Sequence, residues 1–219
     1  MRKIFTFIAA FLLVTTLQAQ NNSFTDKFTS GIDIFNDLVM DAPDGIDFRA
    51  INPGVNVYGL YSYTIPKSKL SLAIGLGLGM HNLHSNGTLG DVAGVSSFTK
   101  IPESVDYKIN KFQVTYLDIP AEIRFKTESG FRLALGIKAG YLISAHTKYK
   151  GDDPDDGNRT IKIKVGKLLN LEKWRYGPTF QVGYKFVQLT AFYSLSTVFE
   201  EATGPSLYPV SIGIALRPF

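Results

Sequence analysis

Two histidines and two hydroxyls have the types and spacing that could support chemistry. His81 and His146 each lie in a run where every second residue is apolar, and by that alternation both fall on the non-apolar face. Both stand near the far ends of their runs, Ser144 and Ser196 offer hydroxyls, and carboxylates are plentiful. A serine nucleophile, a histidine base and an orienting carboxylate would make an acyl hydrolase acting on membrane lipid. No local motif surrounds either serine, so the expectation is that the histidines are hydrogen-bonded into the fold. Gly151–Asn158 (GDDPDDGN) clusters four carboxylates. Pro154 occupies an offset where a calcium loop needs a ligand, which excludes an EF-hand and leaves a solvated turn. Gly75, Gly77 and Gly79 imitate a phosphate loop, but no helix follows them. The chain has no cysteine, which excludes a lipid-anchored thiol, a disulfide framework and thiolate metal sites. The expectation is no catalytic, cofactor-binding or metal residue, no cofactor, and no enzyme.

The elements that position these residues are strands. Phe131–Lys150 alternates over twenty residues, with Leu133, Leu135, Ile137, Ala139, Tyr141 and Ile143 on one side and Arg132, Lys138, His146 and Lys148 on the other. Period two means a strand with two chemically different faces. Its length is far beyond the usual ~5–6 residues and exceeds the ~9–11 that cross a bilayer when tilted. Seven more segments share the pattern: 30–40, 55–65, 70–82, 111–126, 176–186, 188–199 and 208–216. In the 111–126 segment the apolar residues are even-numbered through Tyr116 and odd-numbered from Leu117, which predicts a β-bulge there, with Pro120 beside it. Ile161–Val165 alternates too and is expected to extend strands above the membrane.

The connections sort by parity. Residues 66–69, 127–130 and the junction near 187 are short, whereas 41–49, 83–110, 151–175 and 200–207 are longer. Membrane barrels have short periplasmic turns and longer external loops. The expected fold is therefore all-β, an eight-stranded antiparallel up-and-down transmembrane β-barrel. Arg132, Lys138, Lys185 and Arg217 fall on the inward parity, as do Asp118, Glu122 and Arg124 once the bulge is allowed. A cation on the lipid face at mid-bilayer costs about 2–4 kcal/mol. An eight-stranded interior is just filled by side chains, so Asp33, Asp37, Glu122, Arg124, Arg132 and Lys138 are expected to form a buried ion-pair plug rather than an open conduit. Trp174, Tyr176, Tyr149 and Tyr208 are placed at outer strand ends, where aromatics favour the interface.

Residues 1–19 (MRKIFTFIAAFLLVTTLQA) have the basic, apolar and cleavage regions of an export signal, so the domains are a signal peptide at 1–19 and a barrel domain at 20–219. Losing Arg2 and Lys3 lowers the net charge from +4 to +2, which gives no case for nucleic-acid binding. Expected partners are outer-membrane lipid, the barrel-assembly machinery during insertion, and an envelope protein.

Tyr116-Leu117-Asp118-Ile119-Pro120, the Gly-rich third strand, the Gly136/Gly140 strand and TFQVGYKF at 179–186 resemble the small PorT-like outer-membrane barrels of the Bacteroidetes. So does the Ala19-Gln20 junction. Phe219 matches the aromatic C-terminus that assembly machinery recognises, while Ala215, Arg217 and Pro218 depart from it. The resemblance implies an outer-membrane barrel, with a secretion component as in PorT as one role it offers. The residues themselves lead to the expectation of a structural, adhesive or assembly role through the external loops. They leave as alternatives a lipid-modifying enzyme at the outer rim and a soluble lipocalin-like binder, whose inner face would be apolar and outer face polar.

Overall fold

The computed structural model describes residues 27–153, 159–166 and 168–217. The proposed signal at 1–19, residues 154–158 of the acidic loop, and Pro218 and Phe219 lie outside the described residues. Among the described residues eleven strands form: β1 (Phe28–Met40), β2 (Pro53–Thr64), β3 (Leu70–His84), β4 (Gly87–Val92), β5 (Val95–Lys100), β6 (Tyr107–Lys126), β7 (Phe131–Asp152), β8 (Thr160–Gly166), β9 (Trp174–Tyr184), β10 (Val187–Tyr193) and β11 (Tyr208–Leu216).

Eight of them, β1, β2, β3, β6, β7, β9, β10 and β11, pair antiparallel with their chain neighbours, and β11 pairs with β1 to close the ring. Closure leaves no edge, so the backbone groups of the wall pair strand to strand around the whole ring, which a lipid-embedded sheet requires. β4 and β5 form a separate hairpin between β3 and β6, and β8 pairs with the outer half of β7. The alternation at Ile161–Val165 is thus a strand, as expected, while β4 and β5 fall within 83–110, where a connection is expected.

Outward side chains form an apolar belt: Ile34, Leu72, Leu76, Ile137, Leu189 and Ile212 are all exposed, Ile137 at 68%. An exposed belt of this size needs an apolar surrounding, and a soluble lipocalin-like binder, polar outside, cannot supply it. The inner face of the same strands carries Asp33, Asp118, Glu122, Lys138 and Arg217, all buried.

Above the belt the polarity reverses. From Ile109 to Ile123 β6 keeps one phase, so Phe112, Val114 and Tyr116 are buried inside together with Asp118 and Glu122. The bulge expected at Tyr116–Leu117 is not in this strand, whose one extra residue against β7 is Lys108, since Tyr107 pairs with Gly151 and Ile109 with Lys150. The apolar residues change parity because the outer part of β6 leaves lipid for water, and its apolar side turns from outside to inside. A register shift does occur at Thr115/Tyr116, but the extra residue is Ile143 on β7, since Thr115 pairs with Ser144 and Tyr116 with Leu142. Pro120 instead interrupts the ladder to β3, where pairing skips from Ile74↔Ala121 to Gly77↔Asp118.

The bulge at Ile143 flips everything after it. Ala145 packs toward the inner core and Tyr149 is buried, while His146 pairs beside Gln113, and Lys148 beside Lys111, on the outer wall. The inward placement of His146 and Lys148, and the interfacial placement of Tyr149, are thereby corrected. Lys185 is likewise not inward: it sits in the β9–β10 turn with positive φ, its ammonium over the Tyr184 ring.

Candidate functional site

The inward charges gather in two linked clusters. At the end with the short turns, Arg217 grips Glu122 through two hydrogen bonds of 3.1 and 3.0 Å. Arg124 reaches the same carboxylate at 2.8 Å and donates to Ser62. The Arg217 Nε donates to the Tyr58 hydroxyl, which donates in turn to Asp33 at 2.7 Å. Two-pronged guanidinium–carboxylate contacts fix geometry as well as charge, and Arg217 is only 2% exposed.

The second cluster lies nearer the long connections. Arg175 holds both Asp118 oxygens, at 3.0 and 2.7 Å, and stacks 4.0 Å from the Tyr116 ring. Lys138 stands 3.9 Å from Asp118 and over the Phe192 ring. His81 bridges Arg175 and Asp37, and Ser211 donates to Asp37 at 2.6 Å. A guanidinium only donates, so His81 Nε2 accepts from Arg175 and Nδ1–H donates to Asp37. Both ring nitrogens are occupied in holding the network.

Glycines make room for these long side chains. A Cβ on Gly140 would stand 2.3 Å from an Asp118 oxygen, and one on Gly79 would meet Asp118 and Arg175 at 2.7 and 2.8 Å. Gly79 of β3 and Gly140 of β7 therefore leave the space in which Asp118 and Arg175 meet. A cavity of about 40 Å³ remains beside Asp33, Lys138 and Gln181, and another of about 10 Å³ beside His81. These volumes suit a few waters at most.

Beyond the second cluster the outer mouth is filled by an apolar core of Leu83, Phe112, Val114, Tyr116, Leu171, Val198, Phe199 and Leu207. It is supplied by the outer strand ends and by connections that fold back over them: Leu171 bridges to Phe199, and Phe98 of β5 packs edge-on to Phe199. Each large side chain buried this way contributes about 1.5–3 kcal/mol.

Of the residues that could have done chemistry, His81 is inside and His146 outside, so no shared site forms. Ser144 is exposed on the wall, and Ser196 is bonded to Ser194. Among the described residues no group of three or more histidines and carboxylates is arranged to hold a metal ion. The network contains Asp33, Asp37, Glu122, Arg124 and Lys138 as expected, and Arg132 lies half-buried at its lower end. Arg175 lies just outside the expected strand 176–186, because β9 begins two residues earlier, at Trp174. Trp174 already shares the outward parity of Tyr176 and Phe180, and extending the alternation two residues upstream puts Arg175 inside.

Comparison with curated proteins gives no match. Among solved structures, Ail, the attachment invasion locus protein of Yersinia pestis, aligns at 13% identity over 87% of this chain and 97% of that one, with a TM-score of 0.41. The same protein in complex with the heparin analogue sucrose octasulfate aligns at 12% identity with the same coverage and TM-score. A model of the outer membrane protein beta-barrel domain matches residues 18–200. With the closed eight-stranded wall, its lipid-facing belt and its charged interior, this places the chain in the outer membrane protein beta-barrel domain family.

Proposed function

We propose that this chain is a closed outer-membrane barrel that works through its external part, in adhesion, envelope integrity or a larger assembly, and does not conduct. One observation carries the reading: the interior is occupied by paired charges and the outer mouth by an apolar core, while the chain beyond the membrane folds into added strands β4, β5 and β8. A pore would leave the lumen open, and a barrel serving only as an anchor would not need a core above the bilayer. The reading includes export through a cleaved signal at 1–19, insertion by the barrel-assembly machinery, and kinship with the PorT-like barrels on the strength of Tyr116–Pro120 and the Gly-rich strands. A secretion role as in PorT is one form the larger assembly could take.

The test is excision of the external elements from a barrel that still assembles. Replacing β4–β5, or the β7–β8 ribbon above Lys148, by a short turn should leave the protein in the outer membrane. It should also raise detergent sensitivity of the cells or abolish their surface attachment. If both excised forms restore a deletion strain as well as the full chain does, the external part is not where the protein works.

A further inference from the structure

The bulge at Ile143 has a consequence on the outer wall. Above the apolar belt, the register sets His84 opposite Lys111, Lys111 opposite Lys148, and Lys148 opposite Lys164. Four basic side chains from β3, β6, β7 and β8 thus form one row across the sheet, about 15 Å wide at the usual strand spacing. The next row outward adds Lys150 opposite Lys162, and His146 lies in the row below, beside Gln113. Like charges directly opposite one another destabilise a sheet. Among the described residues, no ion pair involves Lys111, Lys148, Lys150, Lys162 or Lys164. Lys111 donates only to the neutral Asn82 and Gln113 oxygens. Partial burial and then the ammoniums of Lys148 and Lys164 hold Lys111 below its ordinary range, so the row carries charge that the protein does not neutralise.

Position selects the anion. Along β3 the last apolar outward residue is Met80, and His84 is four residues on. At ~3.3 Å per residue and a tilt of about 40° the row lies about 10 Å above the belt, and lysine side chains can bend back toward the interface. The row faces sideways from the wall, where the neighbour is the headgroup layer. The far end of the described ribbon, where the Asp153 N–H donates to the Arg159 carbonyl, mixes Asp152 and Asp153 with Arg159 and does not continue the row. We propose that the His84–Lys111–Lys148–Lys164 row binds the phosphate groups of outer-leaflet glycolipid packed against the barrel. The inference rests on the outer-membrane location and goes beyond the role proposed for the external elements, so either can fail without the other.

The test uses the full barrel in phosphatidylcholine nanodiscs, titrated with phosphorylated lipid A and with enzymatically dephosphorylated lipid A. A surface lysine contributes about fivefold to binding an anionic interface. The triple variant Lys111→Gln/Lys148→Gln/Lys164→Gln should therefore bind phosphorylated lipid A about a hundredfold more weakly. The wild type should lose a similar factor when the phosphates are removed, and binding should weaken as salt is raised. Lys148→Gln/Lys164→Gln, at two exposed positions, is the second variant if the triple fails to fold, with about twenty-fivefold expected. The proposal is overturned if a folded variant binds within twofold of wild type, or if dephosphorylated lipid A binds as well as the phosphorylated form. It is equally overturned if a soluble sulfated oligosaccharide binds the row more tightly than the lipid does.

Discussion

Replacing Arg175 by Met tests whether the barrel interior is a dry plug or a wet conduit. The two readings differ in magnitude because the worth of an ion pair depends on its exposure. The Arg175 and Asp118 side chains are 7% and 4% exposed. Truncating one partner of a pair this buried costs about 3–5 kcal/mol, since the other charge is left without compensation. A pair in a water-filled lumen would behave like a surface pair, worth about 0–1 kcal/mol. Lys138, at 3.9 Å from Asp118, partly compensates when Arg175 is lost, so Arg175→Met should fall near the lower end of the buried range. Asp118→Asn leaves both Arg175 and Lys138 facing a neutral amide and should fall near the upper end. The double variant removes one charge of each sign and should cost about 1–3 kcal/mol less than the sum of the singles. Urea unfolding in phosphatidylcholine vesicles, followed by the fluorescence of the one tryptophan, Trp174, measures all three. Single losses below about 1 kcal/mol, with additive effects, would refute the dry interior and with it the non-conducting reading.

Two further outcomes follow from the two solvents that the wall meets. Ile137→Lys, at the most exposed apolar position on the β7 belt, should cost about 2–4 kcal/mol in vesicles, although the native chain carries Lys148 on the outer wall farther along the same strand; a cost under about 1 kcal/mol would mean that Ile137 does not face lipid. Partial burial, then the ammoniums of Lys164, Lys111 and Lys148, hold the His146 imidazole below its usual range. The unfolded chain therefore binds this proton first as pH falls, and stability present above about pH 6.5 is lost as pH drops toward the lowered folded value. His146→Gln should remove that part of the loss, read as a smaller drop in the urea midpoint between about pH 7.5 and about pH 5.5; an unchanged drop would refute the placement of His146 among the lysines.

What the sequence made legible was the part of the wall inside the bilayer. There, lipid outside and a crowded interior inside force strict alternation, so Ile32 against Asp33, Leu78 against Gly79 and Ile137 against Lys138 each declare a face. All eight wall strands and the three short turns followed from that contrast. The same rule misled where the contrast reverses. Phe112, Val114 and Tyr116 looked lipid-facing because they are apolar, and the parity change after them resembled a bulge. What changes at that height is the solvent, not the phase of β6. The true bulge was hidden in the most regular stretch of the chain, because Ile143 and Ser144 do not break the alternation of residue types on either side. The partners within the network were illegible for another reason: parity says that Asp118 and Arg217 point inward, but pairing Arg217 with Glu122 and Asp118 with Arg175 requires the register of strands far apart in sequence.

Ile143 is consequently the residue on which the outer third depends, and deletions around it are the sharpest way to ask whether that is so. It is the extra residue of the bulge, since Tyr116 pairs with Leu142 and Thr115 with Ser144, so removing it alone makes the ladder regular and leaves every later side chain of β7 on its present face. Removing Ile143 and Ala145 together takes one residue more than the bulge supplies, and because the side-chain period is two, every later side chain moves to the opposite face. His146, Lys148 and Lys150 would turn toward the core of Phe112 and Phe199, while Thr147 and Tyr149 would turn outward, Tyr149 losing the hydrogen bond of its hydroxyl to the Asp152 carbonyl. Burying even one unpaired ammonium costs several kcal/mol, more than re-exposing a tyrosine. The expected result for the double deletion is that the membrane half of β7, which pairs with β6 and β9 below the bulge, stays folded while the outer sheet opens. Heat-modifiable migration on a gel, the signature of an intact barrel, should persist in both variants. Trypsin added to sealed vesicles should cleave the double-deletion variant after Lys148 or Lys150 and leave the wild type and the Ile143 deletion intact there. A double-deletion variant as resistant as wild type would show that the outer part of β7 re-pairs without cost, and that its two faces are not fixed by the solvents they meet.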